Sequence, residues 1–127
     1  MTQLHALIVD DNRDNVAILA QMLSIEGIQS TRVEDPTKLE QALTRLPKTQ
    51  VIFLDLEMPK LNGYDIFNQL RSMPAFRDVP IVAYTVHVSE INTARKLGFH
   101  SFLAKPLDQD HFPEQLGRIL NGEPVWA

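Results

Sequence analysis

The 127-residue chain contains no cysteine. That absence excludes a disulfide framework, a thiol nucleophile and any zinc centre built on thiolates. Positive charge is also scarce: 12 Lys and Arg stand against 16 Asp and Glu, a formal net charge of −4. A domain that grips nucleic acid through a general basic surface is therefore not expected. No apolar run approaches the roughly 18 residues that a membrane span needs. The first residues carry no basic segment followed by an apolar stretch, so no secretory leader is expected. With 8 Pro and only 5 Gly, the chain is neither collagen-like nor of low complexity. Hydrophobic residues make up 44% and charged residues 22%, ordinary values for a globular protein. A chain this long buries roughly two-thirds of its unfolded surface and folds without staples. One cytoplasmic domain is expected over residues 1–127, with its core at about 4–121 and a short tail at 122–127.

Short apolar runs alternate with longer amphipathic ones. Leu4–Val9 stops at Asp10 and Asp11, and Val16, Ile18, Leu19, Met22, Leu23 and Ile25 then recur at helical spacing until Gly27. A weaker strand over Ile28–Val33 leads to Asp35-Pro36, which suits a helix start. That helix continues through Leu39, Ala42, Leu43 and Leu46 and ends at Pro47. Val51-Ile52-Phe53-Leu54 is continuously apolar, as in a strand covered on both faces, and runs into Asp55. Residues Met58 to Gly63 read as loop, with Asn62-Gly63 marking a turn, before a helix over Tyr64–Met73. A fourth strand, Pro80–Tyr84, ends at Thr85; a helix over Ser89–Leu97 closes at Gly98. A fifth strand within Phe99–Ala104 precedes Lys105-Pro106, and Asp110–Leu120 is the last helix. The tail Pro124-Val125-Trp126-Ala127 reads as a mobile end, the alternative being that Trp126 docks. Five alternations of strand and helix predict a (βα)5 α/β fold: a parallel sheet, right-handed crossovers and helices on both faces.

In such a sheet, ligands bind beyond the carboxyl ends of the strands. The residues leaving the apolar runs are Asp10 and Asp11, Asp55, Thr85 and Lys105. Three neighbouring carboxylates cannot all ionise cheaply, because like charges raise one another's pKa. A hard divalent cation removes the difficulty, and Mg²⁺ fits a site of few carboxylates and several waters. The Lys and Thr then suit an anionic group with several oxygens, such as a phosphoryl. A lone Asp after a strand is usually a turn or capping residue, and Asp11 alone would carry no more than that. Asp55 differs, because an ionised group directly after four apolar residues needs a partner. His5, His87, His100 and His111 lack ligand-like spacing, and Gly63 and Gly98 belong to no Gly-rich phosphate loop.

These pieces are Val9-Asp10-Asp11-Asn12, Leu54-Asp55-Leu56-Glu57-Met58-Pro59, Asn62-Gly63-Tyr64, Thr85 and Lys105-Pro106. In this order the chain resembles the receiver domain of two-component response regulators, over about residues 4–121. The resemblance implies a doubly wound, three-layer sheet of flavodoxin-like strand order 2-1-3-4-5. It implies that Asp55 accepts a phosphoryl group from a sensor histidine kinase or a histidine phosphotransfer protein. Asp10, Asp11, Asp55 and the backbone carbonyl of Glu57 would hold Mg²⁺, with Mn²⁺ able to substitute. Lys105 would pair with the phosphoryl oxygens, Thr85 would move its hydroxyl onto one of them, and Phe102 takes the aromatic switch position. The Lys105-Pro106 bond would be cis. The output would be a downstream protein partner or onward phosphotransfer, with neither an output domain, nucleic-acid binding nor membrane insertion expected.

Two residues depart from the family pattern. Val86 follows the switch hydroxyl, where a small residue is usual, and its stiff side chain would crowd the path to Asp55. Tyr84 stands where an aliphatic residue is more usual. Glu57 and His87 take the two positions that flank the phosphoryl group, where their pairing would tune hydrolysis. Two other functions compete. A haloacid-dehalogenase-type phosphohydrolase would place a second Asp two residues after its nucleophile, where this chain has Glu57, and would need a cap insertion. A phosphorylation-independent interaction domain would have lost an acidic or switch residue, and none is lost. The chain is therefore expected to be no dedicated enzyme, with slow loss of its own phosphoryl group as its only turnover.

Overall fold

The structure, a computed structural model, describes residues 3–58 and 62–127. Pro59, Lys60 and Leu61, part of the expected loop after the third strand, lie outside the described residues. Five strands form one sheet: β1 His5–Val9, β2 Gln29–Val33, β3 Val51–Asp55, β4 Ile81–Thr85 and β5 Ser101–Ala104. Their order is β2-β1-β3-β4-β5, and every pairing is parallel. The intervening helices are α1 Arg13–Ile25, α2 Leu39–Leu43, α3 Gly63–Arg71, α4 Ile91–Leu97 and α5 Phe112–Leu120. The expected (βα)5 order is present. No helix is long and apolar enough to cross a membrane among the described residues.

Strand alternation divides the interior into two cores. Ala6, Ile8, Phe53, Val82, Tyr84 and Leu103 face α1 and α5, packing on Leu19, Leu23, Phe112 and Leu116. Leu7, Val9, Ile52, Leu54, Ala83 and Phe102 face the other way, onto Leu39, Ile66, Phe67, Leu70 and Ala94. Every residue of β1, β3 and β4 is buried. Covered on both faces, these strands can be apolar throughout, which is why they stood out as continuous runs. The β2 strand, Gln29-Ser30-Thr31-Arg32-Val33, is an edge strand and correspondingly polar.

Several expected boundaries are corrected. The second helix opens as a 3-10 turn, Pro36–Lys38, capped by the Asp35 side chain, and α2 itself spans only five residues. Ile18 and Ile25 share the helical spacing of α1 but face solvent, at 51% and 74% exposure. Asn62-Gly63, expected to mark a turn in the loop, instead opens α3. Asn62 is the N-cap of α3, accepting the Tyr64 amide at 2.8 Å, and Gly63 is the first helical residue. A short 3-10 turn, Val88–Glu90, precedes α4, so that helix starts later than its pattern predicts.

The largest correction concerns the tail, which is docked. Phe102 donates its amide to the Val125 carbonyl (2.8 Å) and accepts the Ala127 amide (2.9 Å), while Ala104 donates to the Ala127 carbonyl (2.9 Å). Trp126 thereby forms a parallel bridge to Phe102. An apolar edge strand leaves a row of backbone donors and acceptors unpaired, and a Val-Trp-Ala segment is well suited to occupy it.

Candidate functional site

The sheet register brings the expected residues together. Val9 lies opposite Leu54, Asp55 opposite Tyr84 and Thr85 opposite Ala104. The strands therefore end at one level, and Asp10, Asp55, Thr85 and Lys105 meet beyond their carboxyl ends. Carboxylate oxygens of Asp10, Asp11 and Asp55 all lie within 4.8 Å of one another. Asp10 is fully buried, Asp55 is 5% exposed, and Asp11 is solvent-accessible. The Lys105 ammonium sits 2.9 Å from Asp10 Oδ2 and 3.6 Å from Asp55 Oδ2. The Lys105-Pro106 peptide is cis.

Three carboxylates against one ammonium leave an excess of negative charge in a largely dry site. Burial pushes the Asp55 carboxyl up to about 7, Lys105 pulls it down, and Asp10 pushes it up again. An all-oxygen donor set with this charge fits a hard divalent cation. Asp10, Asp11 and Asp55 are the residues that would hold it, and Glu57 is placed beside them, donating its amide to Asp55 Oδ1 at 3.2 Å. Among the described residues no other cluster of this kind occurs. None of the four histidines belongs to that cluster: His5 meets Thr31, His87 meets Glu57, His100 meets Ser101 and His111 meets Asp108.

Around this centre the rim residues take distinct places. Thr85 is buried, and its hydroxyl oxygen accepts the His87 amide at 3.2 Å. His87 Nε2 lies 2.9 Å from Glu57 Oε2, tying the loop after β4 to the loop after β3, with both side chains half exposed. Val86 is 61% exposed, so it is not a core packing residue. Phe102 is fully buried on the α4 side of the sheet. Gly63 lies against the chain that carries Asp55. A Cβ built there would stand 2.5 Å from the Asp55 carbonyl oxygen and 2.7 Å from Leu56 Cα. Only glycine lets α3 begin so close to that backbone.

Sequence reasoning missed two members of the site. Tyr84 registers there only as a departure, yet its hydroxyl donates to Asp10 Oδ2 at 2.7 Å and its ring lies 4.3 Å from the Lys105 ammonium. A tyrosine in a strand buried on both faces was the available signal, since its hydroxyl must find a partner. Tyr84 is fully buried and packs edge-on against Phe53. Asn12 is the second. Its amide donates to Asp10 Oδ1 at 2.9 Å while its side chain caps α1 by accepting the Asn15 amide. Asp10 thus accepts hydrogen bonds on both oxygens, and its orientation is fixed before any ligand arrives.

Comparison with known proteins agrees with this geometry. The response regulator receiver domain profile matches residues 6–116. Stress response regulator protein 1 of Scheffersomyces stipitis is 35% identical over 109 residues, which are 83% of this chain but 37% of that protein. Chemotaxis protein CheY1 of Helicobacter pylori is 29% identical over 117 residues, covering 90% of this chain and 94% of that one. Among solved structures, the receiver domain of a sensor histidine kinase from Pseudomonas aeruginosa, with magnesium in its active-site cleft, superposes with a TM-score of 0.81. It is 26% identical and covers 94% of this chain and 99% of that one. Receiver domains of this kind serve two-component signalling, bind Mg²⁺ at an acidic site and work with histidine kinases and downstream partners; they are not dedicated enzymes. Sequence, fold and strand-end chemistry lead to one family, and the chain is a response regulator receiver domain.

Proposed function

We propose that Asp55 is the phosphoacceptor of this domain and that residues 1–127 act as one receiver unit. The observation that carries the reading is the strand-end cluster itself: a nearly buried carboxylate 3.6 Å from an ammonium, with two further carboxylates within 4.8 Å. An Asp55 oxygen attacks the phosphorus of a phosphohistidine on a histidine kinase or phosphotransfer protein. The P–N bond breaks, and its electron pair returns to the imidazole, which takes up a proton. Asp10, Asp11, Asp55 and the Glu57 carbonyl would hold Mg²⁺, or Mn²⁺ in its place, and the bound cation would keep Asp55 ionised and offset charge on the phosphoryl oxygens.

The chain's own residues do the rest. Tyr84 and Asn12 hold Asp10 in place, so that Lys105 can move from Asp10 to a phosphoryl oxygen without leaving Asp10 bare. Thr85 gives up the His87 amide and turns its hydroxyl to a second phosphoryl oxygen. The Glu57–His87 pair and Val86 stand at the rim, where they limit the approach of donor and water. Phe102 follows Thr85 and alters the face built from α4, β5 and α5, which a downstream protein reads. Incubation with acetyl phosphate and Mg²⁺ tests this. Intact mass should rise by one phosphoryl group in the wild type and not in Asp55→Asn; equal labelling of both would place the phosphoacceptor elsewhere.

A further inference from the structure

Residues Val125–Ala127 pair in parallel with the outer edge of β5 through the bridge of Trp126 to Phe102. Their side chains alternate across that edge as a strand's do. Val125 is buried in the core under α5, whereas Trp126 packs with the opposite core on the α4 side. Trp126 is gripped from outside by Arg95 of α4, whose guanidinium lies 4.6 Å from the ring centroid. Glu123 is held by Arg118 of α5 at 3.3 Å, and the Val125 amide donates to the buried Ser101 hydroxyl at 3.0 Å. One five-residue segment therefore touches α4, β5 and α5 together.

Its attachment points are the residues that a phosphoryl signal must move. Phe102 has both backbone groups taken by the segment, and Ala104, bonded to the Ala127 carbonyl, directly precedes Lys105. Ala104 is also the register partner of Thr85. Any shift of Thr85, Lys105 or Phe102 towards an occupied Asp55 pulls on the same ladder that holds the tail.

We infer that Glu123–Ala127 is an occluding strand that covers the α4–β5–α5 face and holds Phe102 buried while Asp55 is unmodified, and that occupancy of Asp55 loosens it. The inference rests on the reading of Asp55 as phosphoacceptor. By linkage, a tail that favours the unmodified state must weaken phosphoryl-analogue binding by the same factor that binding weakens the tail.

Trp126 is the only tryptophan of the chain, so its emission reports the tail directly. The experiment titrates full-length protein with beryllium fluoride and Mg²⁺, reading heat and Trp126 fluorescence together. Binding accompanied by a red shift of Trp126 emission and greater accessibility to iodide is the expected result. Binding heat with unchanged Trp126 emission overturns the occluding strand and leaves Asp55 as phosphoacceptor intact. No binding heat overturns the reading of Asp55 itself, and the inference falls with it. Deleting Glu123–Ala127 should tighten beryllium fluoride binding by about fivefold or more. Should that truncation fail to fold, Trp126→Ala should tighten it in the same direction; unchanged affinity in a folded variant contradicts the inference.

Discussion

The carboxyl ends of the strands and the outer edge of β5 belong to the same sheet but are held by opposite means. At the strand ends, Asp10, Asp11 and Asp55 repel one another in a largely buried space, and Lys105 with Tyr84 offsets only part of that repulsion. Along the β5 edge, the tail pairs backbone with backbone and buries Val125. The first region loses stability to charge repulsion; the second adds stability and closes a surface. Repulsion is concentrated at the strand ends, and the edge of β5 is covered.

The sharpest way to break this contrast is Gly63→Ala. The new methyl would overlap backbone atoms of Asp55 and Leu56, neither of which can swing aside. We expect a loss of ~3 kcal/mol or more in chemical denaturation, with displaced amide shifts at Asp55. Asp55→Asn should act in the opposite direction. With its folded-state pKa pushed up to about 7, Asp55 binds its proton more tightly when folded than when unfolded. Its contribution to stability is thus full below about pH 4 and lost as pH rises to about 7. The Asn variant, in the absence of divalent cations, should be more stable than the wild type at neutral pH by on the order of 2 kcal/mol, with the advantage vanishing near pH 4. A denaturation series across pH checks both sign and window.

At the β5 edge, Trp126→Ala removes a half-buried ring and its contact with Arg95. A loss of about 1–2 kcal/mol is expected, and it should be flat across neutral pH, unlike the Asp55 effect. The smallest effect is expected at Val86, whose exposed isopropyl stands on the rim. Val86→Ala should speed both labelling by acetyl phosphate and loss of the phosphoryl group by roughly threefold, less than 1 kcal/mol of barrier, as followed by intact mass.

The two regions also differ in how far the sequence disclosed them. Each strand-end residue follows its own apolar run, so Asp10, Asp55, Thr85 and Lys105 could be placed by strand polarity alone. The Glu57–His87 pair came instead with the resemblance to receiver domains, which sets those two positions beside the phosphoryl group. Tyr84 as a partner of Asp10 was not disclosed, because which strand neighbours which is a long-range fact that a local pattern does not contain. The tail was misread for a similar reason. Pro124-Val125-Trp126-Ala127 has no periodicity of its own, and its partner, Phe102, lies 24 residues away from Trp126. Ile18 and Ile25 show the converse error, since helical spacing alone does not say where the apolar stripe of α1 ends.

The acidic cluster matters most as a cation site serving Asp55. Isothermal calorimetry of Mg²⁺ on the wild type and on Asp11→Ala tests it most directly, because Asp11 is solvent-accessible and its removal leaves the folded core untouched. A single binding event that weakens about tenfold or more in Asp11→Ala is the predicted result. Equal Mg²⁺ affinity in the two proteins would contradict the account.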